Sequence, residues 1–550
     1  MASAELTLVD RLTALAAGGA DKLCVALSRR HEDCDKGDFG AKWWQLVADA
    51  YEGTGGFRAA VRAASIGDTW GEGSYEVGVA RIGKSYLTQF VRESGTEYQR
   101  RVASSTYLNL VAPVIDTYHG HITRRPPKRI TTSAPVAAWW ERADSAGRSV
   151  DEWLADGIRR AQLFGWCAAI FDRPAGLLPR ATARTTATWL EPDAVIDWSI
   201  GEDGSLDWIR LEAEAESSDP LTGEEDEREE YVIWTRTEWA RVVIGETRGV
   251  KTVESITGEA HGLGRVPVAV LRFRPMLDED ALYGLSQVSD VVPLALALFN
   301  TESQLTHHLA SAVFALLAVQ TDTPEAMQNL RLGTSNGMAY PIGSAAPSFV
   351  APPESVSMQL AVRAEQLVDA IYQTARVERP KASAQGGDVA SGIARSYDFQ
   401  QTETILQGFV ARITAFEHEC AAIVALWDAA PVADPSRVAA DTAAATTIAY
   451  PERYDVAGIQ DELAAQFAAI SKDVRDQLPP TAIKHARLTI AMGLNPQASA
   501  DTEAAIRAEV DAMLARDLAT AESNAAIAAL PPVQSGTLVA YAPGESPIVP

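Results

Sequence analysis

Histidine, cysteine and carboxylate side chains crowd together at two places in this chain. His31, Asp33, Cys34 and Asp35 form one cluster, and Asp116, His119 and His121 form the other. These residue types ligate zinc or move protons, but neither cluster has the i, i+4 helical spacing of HExxH or a pair of CxxC ligands. With 8 histidines in 550 residues there is little to build a metal centre from. Helix-end and turn roles are therefore expected of them, with no metal and no cofactor. GEGSYEVG at 71–78 is glycine-rich but lacks both a preceding apolar strand and the Gly-Lys-Ser/Thr ending of a phosphate loop. No GxSxG occurs, and Cys167 falls in the apolar run WCAAIFD, where a thiol is inert. His307 and His308 lie on a predicted helix and read as core or interface. No catalytic set assembles from these residues, and the chain is expected not to be an enzyme.

The remaining chemistry is a glycine-rich basic stretch. Between 379 and 395, Arg379, Lys381 and Arg395 stand against Asp388, three positive charges less one negative, in a chain whose net charge is −25. Gly386, Gly387 and Gly392 make this stretch flexible. Such a loop can touch phosphates without holding them, because each screened contact is weak. On these residues alone an ordinary helix–helix linker is the leading reading.

Behind the loop stands a long amphipathic helix, expected from Ser391 to Trp427. Phe399, Thr402, Leu406, Phe409, Ile413, Phe416, Cys420, Ile423 and Trp427 recur by threes and fours and keep one stripe on one face. Phe409, Ile413, Phe416, Ile423 and Trp427 are its packing residues. At about 1.5 Å per residue the helix reaches roughly 55 Å, a length that suits an assembly more than a compact enzyme core.

Composition sets the frame. With 47% hydrophobic and 22% charged residues the chain folds and can hold several cores. An excess of 73 acidic over 48 basic residues argues against a broad basic face clamping nucleic acid, though not against a surface that DNA passes. Cys24, Cys34, Cys167 and Cys420 are scattered, which fits a reducing compartment and no disulfide framework. The apolar tracts 291–299 and 309–319 are both too short to span a membrane.

Residues 1–75 read as a partly regular arm. One helical stretch from Ser94 to His121 is stopped by Pro126-Pro127, and a second helix, about 150–164, leads through Gly165 into the strand WCAAIFD. Residues 188–274 alternate as strands, with EEDEREE at 224–230 expected as a solvated hairpin tip. A helix is expected from about Leu285 to Ala312, then a small α/β insert over 313–353, then a returning helix from about 356 to 377. Residues 429–550 are alanine-rich and helical with proline breaks, and the tail is extended. The fold class is mixed α+β, predominantly helical.

The order of these elements resembles the portal proteins of tailed double-stranded DNA bacteriophages. TEYQRRVASSTYLNLVAPVIDTYHGHITRRPP at 96–127 is similar to the family's Tyr and Arg followed by Asn, an apolar helix, Gly and a Pro pair. DAIYQTARV at 369–377 with SGIAR at 391–395 is similar to its helix, loop and small-Gly-apolar-Ala helix start, and TIAYPERYDV at 447–456 to the stretch before its crown. The resemblance spans roughly 96–515. It implies a ring, usually of twelve subunits, at one capsid vertex, through which DNA is packaged and ejected. It further implies wing (1–284), stem helices (285–312 and 354–378), clip (313–353), tunnel loop (379–391), long wing helix (391–428) and crown (429–550). Double-stranded DNA contacted without sequence specificity, the terminase large subunit, the major capsid protein and a head-completion or adaptor protein are the implied partners. Assembly in the host cytoplasm and a place in the virion follow from the same likeness, with Arg379, Lys381 and Arg395 as the implied DNA contacts and no membrane. Two other readings stay open: another structural head or scaffold oligomer, and a cytoplasmic metal-dependent hydrolase using the His31 or His119 cluster.

Overall fold

The computed structural model describes residues 6–31, 41–58, 85–173, 184–218, 225–247, 250–277, 282–313, 316–318, 348–350, 353–377, 392–451, 454, 480–494 and 500–528. Its contacts divide the chain into two units, one of residues 1–389 and 397–454, the other of 390–396 and 455–550. The architecture is mixed α/β, with helices predominant among the described residues.

Three helices, α1 (Leu8–Ala16), α2 (Ala20–Leu27) and α3 (Ala41–Glu52), open the first unit. The expected single helix of 94–121 is two: α4 (Gly95–Ser104) and α5 (Val111–Thr123). The break has a local cause. Asn109 accepts the Ala112 amide at 3.0 Å through its side chain and donates to Tyr51 O at 2.7 Å, so it starts a new helix and cannot continue an old one. Leu108, in the break between them, is 45% exposed. Strand β1 (Lys128–Thr131) and helices α6 (Ala134–Glu141) and α7 (Val150–Phe164) follow.

Helix α7 carries a complete local code. Ser149 and Glu152 form a capping box at its start, and Gly165 ends it in the left-handed region at φ +89°. It delivers the chain into β2 (Trp166–Asp172), the centre of a three-stranded antiparallel sheet ordered β3 (Thr186–Leu190), β2, β9 (Val268–Arg272). Trp139, Trp153 and Phe416 gather with Phe171 and Trp189 of this sheet, and the Trp153 and Trp189 rings stack 4.2 Å apart. A five-stranded antiparallel meander runs β4 (Val195–Ile200), β5 (Leu206–Ser218), β6 (Glu225–Thr235), β7 (Glu238–Thr247) and β8 (Val250–Ala260). EEDEREE is therefore not a hairpin tip: all but its first residue lies in β6, where Arg241 and Lys251 meet Glu230 and Glu229 across the sheet. Charge alternation along an exposed strand looks like a loop until its cross-strand partners are known.

Two short strands, β10 (Arg274–Pro275) and β11 (Gly284–Leu285), pair before α8 (Val291–Val313), so the expected helix starts six residues later than its composition suggested. Strands β12 (Leu316–Ala318) and β13 (Ser348–Val350) pair antiparallel and lead to α9 (Glu354–Ala375). Residues 319–347 of the expected α/β insert lie outside the described residues. The long helix α10 runs from Gly392 to Ala429, 38 residues, and is followed by α11 (Pro435–Ala445) and β14 (Thr446–Ala449). Strand β14 pairs with β1, joining residues 435–449 to the first unit across more than 300 positions of sequence. In the second unit α12 (Pro480–Leu494) packs with α13 (Ala500–Ala528), and Lys484 is paired with Asp511. The extended tail expected after residue 535 is outside the described residues.

Gly165 marks a position where only glycine fits: a Cβ there would lie 2.1 Å from Gly284 O, in addition to the positive φ. Gly120, inside α5, has nothing within 4 Å of its Cβ position. Gly165→Ala is expected to lower unfolding free energy by about 2 kcal/mol or more, and Gly120→Ala to raise it by about 0.5–1 kcal/mol. Urea unfolding of the two variants checks this, and equal midpoints would refute the assignment of Gly165.

Candidate functional site

Helices α8 and α9 lie against each other and are joined by the β12–β13 pair. Their burial is uneven along their length. At the base, Val291, Val292, Ala295, Leu298 and Phe299 of α8 and Ala364, Leu367, Ile371 and Ala375 of α9 are all buried, sharing a core with Val47, Phe57, Val114 and Ile115. Toward the β12–β13 end the apolar side chains face solvent: Leu309 is 50% exposed, Val356 38%, Met358 66% and Val362 58%. The two helices carry Glu302, Glu354, Glu365 and Asp369 against Arg363 as their one permanently positive residue.

The base of the pair is fixed by polar anchors. Ser286 Oγ donates to Leu163 O at 2.6 Å and accepts the Val288 amide at 3.0 Å just before α8. Where α9 ends, Tyr118 Oη donates to Ala375 O at 3.0 Å and Thr402 Oγ1 donates to Arg376 O at 2.7 Å. Arg376 itself adopts φ +54°, unusual for a residue with a side chain, at the point where the chain leaves α9 for the basic loop.

Arg101 is the strongest of these anchors. It is 1% exposed, and its guanidinium makes a forked pair to Glu93 at 2.7 and 2.8 Å. It also donates to Thr88 O at 2.7 Å and to Ser303 Oγ of α8 at 3.1 Å, with the Phe90 ring 4.7 Å from its Cζ. Ser105 Oγ reaches the same Ser303 hydroxyl at 2.7 Å. The bonds from Arg101 hold the Glu93 carboxyl below the usual carboxylate range, against the opposing effect of burial. Beside this anchor lies a cavity of about 460 Å³ bordered by Glu97, His307, His308 and Leu360.

Of the expected DNA contacts, Arg379 and Lys381 lie outside the described residues, as do Gly386 and Gly387. Gly392 and Arg395 are described in backbone only, and both lie within α10, so Gly392 begins a helix where a flexible loop residue was expected. Phe409, Ile413, Phe416, Ile423 and Trp427 are all at most 3% exposed. They pack into the chain's own core, among Trp153, Trp189 and Phe273, and Trp427 Nε1 donates to Phe171 O at 3.1 Å.

The described residues of the two histidine clusters have other partners. His31 stacks on Trp198 with centroids 4.2 Å apart and gives its backbone amide to Ile196 O, while Asp33, Cys34 and Asp35 are outside the described residues. His119 is buried, and burial together with Arg159 pushes its imidazole pKa down; Asp116 is engaged by Tyr51 Oη at 2.9 Å. Among the described residues no group of three His, Cys, Asp or Glu is placed to hold a metal ion. Cys167 and Cys420 are fully buried, which raises both thiols far above their ordinary range. No described helix is long and apolar enough to cross a membrane.

No protein-family profile and no curated protein matches the sequence. Among solved structures, the chain is similar to a subunit in the neck of an empty GTA particle, a phage-like gene transfer agent, computed with C6 symmetry. That likeness has a TM-score of 0.34 and 13% identity over 66% of this chain and 85% of the other. The neck of the native GTA particle, computed with C12 symmetry, gives 0.32 and 11% over 66% and 84%. Both scores lie below those of a shared fold.

Arg101 and Glu93 are nearly inaccessible, so removing one charge strands the other. Glu93→Gln is expected to cost about 3–5 kcal/mol. Because the Glu93 pKa is depressed in the folded state, its contribution is complete above the unfolded carboxylate pKa of about 4.3 and is lost as pH falls through the lower folded value. Thermal unfolding of both proteins should show a gap that is constant near neutrality and narrows in acid; a pH-independent gap would contradict the ion-pair origin.

Proposed function

We propose that the chain is the subunit of a phage portal, a ring through which double-stranded DNA is packaged, retained and released. The observation that carries this reading is the helix pair α8–α9, closed at its base and apolar and solvent-exposed toward its far end. Among the described residues Leu309, Val356, Met358 and Val362 remain 38–66% exposed. Burying what remains exposed is worth roughly 1 kcal/mol for each side chain, repeated at every interface of a closed ring. Identical subunits can supply that cover by cyclic symmetry, each pair lying against the next.

In this reading α8 and α9 are the stem, β12 and β13 lie near the beginning and end of the clip, and residues 379–391 are the tunnel loop. The β-rich body and α10 form the wing, and the C-terminal helices the crown. An acidic stem suits a channel, since a wall that repels phosphate lets DNA slide where a basic groove would hold it. Arg379 and Lys381 then provide weak contacts that make and break as DNA moves. The terminase large subunit, the major capsid protein and a head-completion protein are the proposed partners, and the capsid vertex of the virion the proposed location. Another oligomeric head or scaffold component would use the same apolar surface and is separated by the presence or absence of a central channel.

Negative-stain images and native mass of the purified protein should give closed rings with a central hole. Leu309→Asp combined with Met358→Asp should abolish the rings while changing subunit stability by no more than about 0.5 kcal/mol; intact rings in that variant would remove the role given to the stem. Deleting residues 382–390 should leave rings intact and impair DNA packaging or retention, and full, stable heads in that deletion would remove the role given to the loop.

A further inference from the structure

The N-terminal helices meet the five-stranded meander at a cluster of three reactive groups. Cys24, on α2, is 7% exposed and donates its thiol proton toward Glu229 Oε2 at 3.0 Å. Lys251, on β8, approaches the same sulfur, with Nζ 3.2 Å from Sγ, and is also bound to Glu229 Oε1 at 2.5 Å. One carboxylate thus places an oxygen on each of two potentially reacting atoms. Those atoms are already within the ~3–3.5 Å of a near-attack pair. Tyr231, 1% exposed, approaches Glu229 Oε2 at 3.2 Å and helps fix its orientation. We propose that Cys24 and Lys251 form an oxidative covalent bridge, a direct sulfur–nitrogen bond, when a peroxide reaches this cluster.

The chemistry balances in two steps. The Cys24 thiol and one hydrogen peroxide give the sulfenic acid and water; sulfur loses two electrons and the peroxide O–O bond takes them. The Lys251 ammonium then loses one proton to solvent, freeing the nitrogen lone pair to attack Sγ. The S–N bond forms as the S–O bond breaks, the departing hydroxide takes a proton from solvent and leaves as water, and a second proton passes from nitrogen to solvent. A thiol reverses the bridge by attacking sulfur and releasing the lysine amine.

Protonation sets the rate. Burial and the Glu229 bond push the Cys24 thiol up, and Glu229 likewise holds Lys251 as an ammonium above its ordinary range. The bridge therefore forms slowly near neutrality and faster as pH rises. This is the behaviour of a staple that accumulates under sustained oxidation, not of a fast sensor. Once formed, it fastens α2 to β8, adding a covalent link to the apolar contacts of Leu12, Leu23 and Leu27 with the sheet.

The test uses the purified full chain treated with hydrogen peroxide, digested without reductant and read by mass spectrometry. The expected product is a peptide pair joined through Cys24 and Lys251, lighter by two hydrogens than its parts and separated by dithiothreitol. Cys24→Ser and Lys251→Arg should abolish it. Sulfinic acid at Cys24 with Lys251 unmodified overturns the proposal, as does a bridge that retains the oxygen between nitrogen and sulfur. The wild-type measurement decides the matter even if a variant fails to fold, and it is independent of ring assembly.

Discussion

Glu417 sits completely buried on the long helix, and the first unit is organised around meeting its charge. Arg129 of β1 pairs with it at 2.6 Å and also reaches Asp151 at the start of α7 at 2.6 Å, while Tyr450, just past β14, gives it a hydroxyl. An uncompensated carboxylate at this depth would cost several kcal/mol. The helix can therefore enter the core only when β1, β14 and α7 are in place, together with the chain segments that carry them. The requirement is mutual. Strand β14 is four residues long and pairs with an equally short β1, and the Arg129–Glu417 contact is one of the ties from that small ribbon to the body.

Around this point the long helix is buried on nearly all sides. Cys420, Ala421, Ala422, Ile423 and Val424 are successive and all at most 5% exposed, which no single stripe can produce. The helix is a central pillar of its own chain. Its apolar stripe is spent in the core, whereas on α8 and α9 the apolar face outlasts the core that covers it. Arg101 reinforces the contrast: one buried guanidinium joins the 88–93 segment, α4 and α8, fixing the base of the pair while its far end stays uncovered.

Much of this fold was legible in the chain because local signals agree with their surroundings. Ser149 and Glu152 mark one end of α7 and Gly165 the other, WCAAIFD is apolar because β2 lies between two strands under aromatic cover, and the spacing of Leu406 to Trp427 marks a helix whatever it packs against. The misses have equally physical causes. The helix break before Val111 depends on an Asn109 side chain that bonds a distant carbonyl, the strand identity of EEDEREE depends on lysine and arginine across the sheet, and β1–β14 pairs segments over 300 residues apart.

By itself the sequence determined the helices, the strand-rich middle, the two-helix excursion around 313–353 and the acidic character of the chain, since apolar spacing, caps and charge are properties of neighbouring residues. Tertiary structure alone decided which apolar faces are spent in the core and which are left over, and which charges are partnered. It closed the base of α8–α9 and left Leu309, Met358 and Val362 in solvent. It set Glu417 on Arg129, and it brought the Cys24 sulfur to the Lys251 amine from 227 positions away. Burial and pairing are sums over residues that the chain brings together only by folding, so no window of sequence contains them.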